Sequence, residues 1–285
     1  MDAHEVEETV EETVEETKEE AKPWVIVLAR VGYAAVGAVY IVIGLLAVDA
    51  AIGAGGATTN KWGALRAILQ QPFGQFLLGF IAVGFFGYAL WQFVRAFVDP
   101  EGIGTGIREY GLRALKIGAG IFYTLLAFGA IRLIFGLRGG GNGGDNMTEE
   151  DWTALILAQP LGRWLIGIGG LIIVAVGLYQ FYKSYKGEFR DEFKVEEMSE
   201  AEETWAMRVA RIGYVARGVI IAVAGALLFQ AAWQYDPQEA GDMSDALQAI
   251  AQQPFGHWLL GAVAVGLIAY GVYKLMLARY RHIYL

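Results

Sequence analysis

Gln70-Gln71-Pro72-Phe73-Gly74 returns as Gln252-Gln253-Pro254-Phe255-Gly256, and in weaker form as Ala158-Gln159-Pro160-Leu161-Gly162. Upstream of each copy lies a second shared stretch. Arg30-Val31-Gly32-Tyr33, followed by Gly37, matches Arg211-Ile212-Gly213-Tyr214 followed by Gly218, and Lys116-Ile117-Gly118 is the middle copy. Gly32 to Gly118 is 86 positions and Gly118 to Gly213 is 95, a period of about 90. That is too long for a solenoid repeat and suits two membrane spans plus their loops.

The spans are visible as six apolar runs: Trp24–Val48, Phe73–Phe97, Arg113–Gly136, Leu161–Lys183, Arg208–Gln230 and Phe255–Ala278. Each is long enough to cross a hydrocarbon core of ~30 Å, and glycine within them favours close helix packing in lipid. The fold class expected is therefore all-α integral membrane. Each repeat has an even number of spans, so all three insert the same way round. Parallel repeats are related by an axis along the membrane normal. Three two-helix repeats predict six transmembrane helices about a pseudo-threefold axis.

The expected organisation is an acidic, disordered tail over 1–22, repeats over 23–100, 108–186 and 208–285, and a charged surface linker over 187–207. The tail is a block of like charge without aromatics, which favours disorder. Its Val6, Val10 and Val14 leave a solvated helix as the alternative. It has no basic segment before an apolar core, so the first span is expected to act as its own insertion signal. Of the 22 lysines and arginines, 17 fall on the side holding both termini and the 2–3 and 4–5 connections, and five on the other. Both termini are therefore expected in the cytoplasm.

Between the two spans of each repeat lies a short amphipathic segment, too short to cross and suited to the outer interface. Asn60, Thr148 and Ser244 are its expected N-caps. It ends at the corner motif: Gln71, Pro72 and Gly74; Gln159, Pro160 and Gly162; Gln253, Pro254 and Gly256. Proline stops the short helix and suits the first turn of the next. The glutamine is expected to satisfy backbone groups freed there, and the glycine to permit tight packing. If the three corners converge, they form an outward-facing rim.

Aligned across repeats, Gln92, Gln180 and Lys274 occupy one position, and Arg217 lies at a depth to join them. Facing the axis, they make a polar ring that favours anions or polar headgroups. Arg217 is otherwise expected to snorkel to the nearer interface. No catalytic, cofactor or metal set is nominated. The chain has no cysteine, and its histidines (His4, His257 and His282) are scattered. The glycine loop Gly139–Asp145 matches one unit of a calcium-binding repeat, and a single unit builds no stacked roll. No mid-span Asp, Glu or His offers a proton relay.

The Ala-Arg-x-Gly-Tyr-x-x-x-Gly stretch, from Ala29 and from Ala210, with the Gln-Pro-Phe-Gly corner and a return span, resembles the bacterial family called domain of unknown function 1206. The likeness covers about residues 24–280. The middle copy departs from it, with Ala119 for the tyrosine and Leu161 for the phenylalanine. The resemblance implies a six-span protein of the bacterial inner membrane and brings no activity, cofactor or catalytic residue. The leading expectation is a non-catalytic scaffold or accessory subunit in the lipid bilayer. Its protein partner would engage the acidic tail or the interfacial helices, and no nucleic acid is expected. The alternative is a channel or carrier for a small neutral or anionic solute along the axis. A lipid-modifying enzyme ranks third.

Overall fold

The computed structural model describes the backbone of residues 3–54, 56, 58–98, 106–136 and 149–281. The glycine loop 139–145 and the Thr148 cap lie outside the described residues. Six long helices are apolar enough to cross a membrane. They are α1 (Ala3–Ala51), α3 (Gly74–Phe97), α4 (Ile107–Ile134), α6 (Gly162–Lys186), α7 (Glu200–Gln234) and α9 (Gly256–Tyr280). Three nine-residue helices sit between the spans of each repeat: α2 (Lys61–Leu69), α5 (Glu149–Leu157) and α8 (Met243–Ala251). Of the two readings of the acidic tail, the backbone takes the helical one, continuous with the first span.

The short helices turn their apolar side to the bundle, burying Ala64, Leu65 and Ile68 in α2 and Ala246, Leu247 and Ile250 in α8. Asn60 caps α2, its side chain accepting from the Gly63 N–H at 3.0 Å. In the third repeat the cap is Asp242, two residues before the expected Ser244. Asp242 forms a capping box with Asp245, and Ser244 instead donates to the Thr58 carbonyl at 2.9 Å. Asn60 also bonds Asp242, so the first and third repeats are joined at this end.

Each corner is built alike. The glycine N–H donates to the carbonyl of the glutamine three residues earlier, at 2.8 Å (Gly74 to Gln71), 2.9 Å (Gly162 to Gln159) and 2.8 Å (Gly256 to Gln253). In the third copy the glutamine side chain also serves the freed backbone, Gln253 Nε2 donating to the Ala249 carbonyl at 3.3 Å. The residue between proline and glycine takes the left-handed conformation: Phe73 at φ 60°, Leu161 at 68° and Phe255 at 62°. That conformation costs a non-glycine residue about 1–2 kcal/mol. A Cβ on Gly74, Gly162 or Gly256 would overlap the carbonyl oxygen of Leu69, Ile156 or Ala251, so glycine is needed where the chain doubles back. Phe73, Leu161 and Phe255 are all exposed, and among the described residues no hydrogen bond ties one corner to another.

The long helices pack in a cyclic order. Helices α1 and α3 form one hairpin and α7 and α9 another, while α3 with α4, α6 with α7 and α9 with α1 join neighbouring repeats. Glycine sets the spacing at these seams. A Cβ on Gly37 would lie 2.7 Å from the Gly271 carbonyl oxygen, and one on Gly218 would lie 3.0 Å from that of Gly177. Arg163, at the start of α6, donates to the Ala232 and Trp233 carbonyls at the end of α7, both at 3.0 Å. A cation there also meets the negative end of the helix dipole.

The sixth seam, between α4 and α6 of the middle repeat, lacks the close packing of the other five among the described residues. In the outer repeats the hairpin closes through small residues. Ala35 meets Gly84, and Ala216 meets Gly266. The corresponding middle-repeat residues are Ile121 and Ile172, which are 52% and 54% exposed. A Cβ on Gly32 would lie 2.6 Å from the Tyr88 nitrogen, and one on Gly213 2.6 Å from the Tyr270 Cα, but one on Gly118 would have nothing within 4 Å. Two branched side chains at positions that need Ala and Gly hold the middle hairpin open.

Candidate functional site

The linker sinks two side chains into the bundle, while Arg190, Asp191, Glu196 and Glu197 stay exposed. Phe189 and Phe193 are 0% and 2% exposed. Phe189 stacks on Tyr214 with ring centres 5.7 Å apart, and Phe193 meets Tyr273 edge-on at 5.8 Å. Single turns of 3-10 helix at Arg190–Glu192 and Val195–Glu197 carry the chain across this end. The Lys194 N–H fastens it to α9 by donating to the Tyr280 carbonyl at 2.8 Å.

Between the two phenylalanines, Glu192 is turned inward. Its Oε1 receives Lys183 Nζ at 2.6 Å, and its Oε2 receives Arg281 Nη1 at 2.6 Å and the Tyr273 hydroxyl at 2.9 Å. The Tyr214 and Tyr273 hydroxyls lie 3.2 Å apart and extend the network to α7. Burial pushes the Glu192 carboxyl up, but Lys183, Arg281 and Lys274 outweigh it and hold the group well below the usual carboxylate range. The carboxylate is therefore charged at neutral pH and clamps α6, α9 and the linker together.

Deeper in the bundle the polar residues lie among tyrosines. Lys274 is 6% exposed, with its Nζ 5.4 Å from the centre of the Tyr33 ring and 5.1 Å from those of Tyr270 and Tyr273. Arg217 lies over the same Tyr270, at 5.1 Å, instead of snorkelling to the interface. The Tyr40 ring meets Tyr270 edge-on at 4.8 Å. From the corner end, Lys61 at the start of α2 reaches over Tyr40 at 5.2 Å and Phe122 at 5.0 Å. The Tyr33 hydroxyl accepts from Trp91 Nε1 at 3.1 Å.

Of the three aligned polar residues and Arg217, the fold brings Arg217 and Lys274 to one tyrosine ring. The glutamines are buried but engaged separately. Gln92 Oε1 accepts from Arg95 Nη1 at 3.0 Å, and Gln180 packs against α7 beside Gly218. The tyrosines of this interior were not singled out in the sequence, although Tyr33 and Tyr214 stand in the repeated motif itself. Lys61 gave no signal, because it opens a surface helix. Among the described residues there is no group of three or more His, Cys, Asp or Glu placed to hold a metal ion.

Three segments of the chain, 31–99, 116–187 and 212–281, each match the family model Domain of Unknown Function (DUF1206). The chain belongs to the DUF1206 family. The matched segments are the three hairpins, each with its corner, short helix and return span. An uncharacterized protein of Bacillus subtilis (strain 168) is 36% identical over 261 residues, covering 92% of this chain and 93% of the relative. No solved structure matches the chain. The three DUF1206 segments fit the three repeats, and six helices of the described residues are long and apolar enough to cross a membrane. DUF1206 membership leaves the role to be argued from the bundle.

Proposed function

We propose that the protein is a non-catalytic scaffold or accessory subunit of the bacterial cytoplasmic membrane, with both termini cytoplasmic. Its open α4–α6 face receives a transmembrane helix of another chain. The observation that carries this reading is the contrast at equivalent positions: Gly32 and Gly213 are pressed against their return helices, while Gly118 faces empty space. In lipid, helices associate through small residues that let backbones approach, and a small residue on an unpacked seam offers such a surface. The clamp on Glu192 also supports a static role, because it ties the linker across one end of the bundle.

The test is co-purification in mild detergent. Gly118→Leu places a side chain in open space, so the protein should fold with wild-type yield and lose its bound partner. Deletion of residues 1–20 tests the acidic tail as a second contact. A wild-type protein that purifies alone sinks the scaffold reading.

A second reading, passage of a small anionic solute, is favoured by the cations Arg217 and Lys274 within the bundle. On that reading, Lys274→Met with Arg217→Met should change anion flux into proteoliposomes while folded yield is preserved. Unchanged flux would end it.

A further inference from the structure

We propose that Arg217 and Lys61, meeting across Tyr40 and Tyr270, form a binding site for a phosphate-type anion inside the bundle. The inference does not depend on the scaffold reading, since it concerns the interior and not the α4–α6 face.

Arg217 comes from the middle of α7 and its Nε is buried without a hydrogen-bond acceptor. The groups that act on its charge are the hydroxyls of Tyr270, Tyr40 and Tyr123, that of Tyr40 accepting a hydrogen bond from it, with no carboxylate among them. Lys61 reaches the same Tyr40, so one tyrosine hydroxyl lies beside two cationic groups. Among the described residues, neither cation has a carboxylate within ion-pair distance. Lys274 adds a third cationic side chain over Tyr270, at 5.1 Å.

Magnitudes decide what this arrangement needs. Holding an ion out of water costs several kcal/mol even after relaxation. A cation over an aromatic face recovers ~2 kcal/mol when desolvated. Tyrosine faces and one neutral hydroxyl therefore leave the Arg217 charge under-compensated, and its Nε–H without an acceptor adds to the deficit. The contrast with the linker end is instructive. There Lys183 and Arg281 meet Glu192, and the chain supplies its own anion. At Arg217 and Lys61 the chain supplies none.

The chemistry of the two cations indicates the class of ligand. A guanidinium presents a planar fork that matches two oxygens of a phosphate, while an ammonium contributes a compact charge with three donors. The Tyr40 hydroxyl oxygen accepts from both cations and keeps its own proton to donate to a ligand. This set suits a tetrahedral oxyanion with at least two free oxygens. Inorganic phosphate has that chemistry, and so does the headgroup of an anionic phospholipid.

The sources are separated by two measurements on the purified full-length chain. Thermal unfolding in a neutral detergent is followed in sodium phosphate and in sodium chloride of equal ionic strength. Native mass spectrometry is then run on protein released from nanodiscs of mixed phosphatidylglycerol and phosphatidylcholine. Wild type is compared with Arg217→Gln and Lys61→Gln. Lys61 sits at the edge of the bundle, so its variant keeps the test valid if the Arg217 variant does not fold. Each variant should weaken binding about tenfold or more, the loss expected for a charge-assisted hydrogen bond. A phosphate-dependent rise in Tm that both variants lose assigns the site to a free anion. Phosphatidylglycerol retained by wild type and released by the variants, with no phosphate shift, assigns it to a headgroup. Binding of neither, or binding that both variants keep, overturns the proposal.

Discussion

Replacing Glu192 by glutamine is expected to destabilise the protein by about 3–5 kcal/mol, the range seen when one partner of a buried ion pair is removed. The size follows from what is left behind. Arg281 is 4% exposed at its side chain and Lys183 21%, and both point at Glu192. Without the carboxylate, two cations face each other at the end of the bundle, with Lys274 behind them. Phe189 and Phe193 would lose the anchor that sets their depth. Chemical unfolding of wild type and variant in the same detergent measures the difference. A change below about 1 kcal/mol would mean that the cluster behaves as an exposed pair. The pH dependence has a definite sign. The folded carboxyl lies below its unfolded value of about 4.3, so its contribution is complete above that pH. It is lost as pH falls from there towards the depressed folded value. The gap between wild type and Glu192→Gln should therefore stay constant from about pH 6 to 8 and narrow only in acid.

The repeat, the spans and the corner were legible in the sequence because each rests on local chemistry. Proline can only stop a helix or start one, and an apolar run of bilayer length has few other uses. Even there the reading was incomplete. Nothing in Pro72-Phe73-Gly74 announces that the phenylalanine, and not the glycine, takes the left-handed conformation. The linker was harder to read. Phe189-Arg190-Asp191-Glu192-Phe193 is mostly charged and looks like surface, and its burial follows from tertiary partners on α6, α7 and α9. The polar ring illustrates a different limit. Alignment of the repeats gave the depth of Gln92, Gln180 and Lys274, but depth does not give direction. Only the packed helices show Arg95 engaging Gln92 and the tyrosines receiving Lys274.

The open seam was written in the chain as well, at positions whose meaning depends on knowing which face meets which. Gly213→Ala is expected to destabilise by about 1–3 kcal/mol, the usual cost of overpacking, or more if the helices must part. Its Cβ would stand 2.6 Å from the Tyr270 Cα and 2.7 Å from the nitrogen, and backbone cannot rotate away as a side chain can. Gly32→Ala should behave the same way against Tyr88, where the nitrogen lies 2.6 Å from the added carbon. Gly118→Ala makes the same chemical change at the same repeat position, with nothing within 4 Å. It should be neutral or mildly stabilising, by up to about 1 kcal/mol from helix propensity alone. Unfolding of the three variants in one detergent measures all of these. If Gly118→Ala costs as much as Gly213→Ala, the middle hairpin is closed in the folded protein and the α4–α6 face is no docking surface. If the outer variants lose stability and the middle one does not, the same repeat unit serves two purposes. Two copies hold the bundle together, and the third, through Ile121 and Ile172, keeps a place for something else.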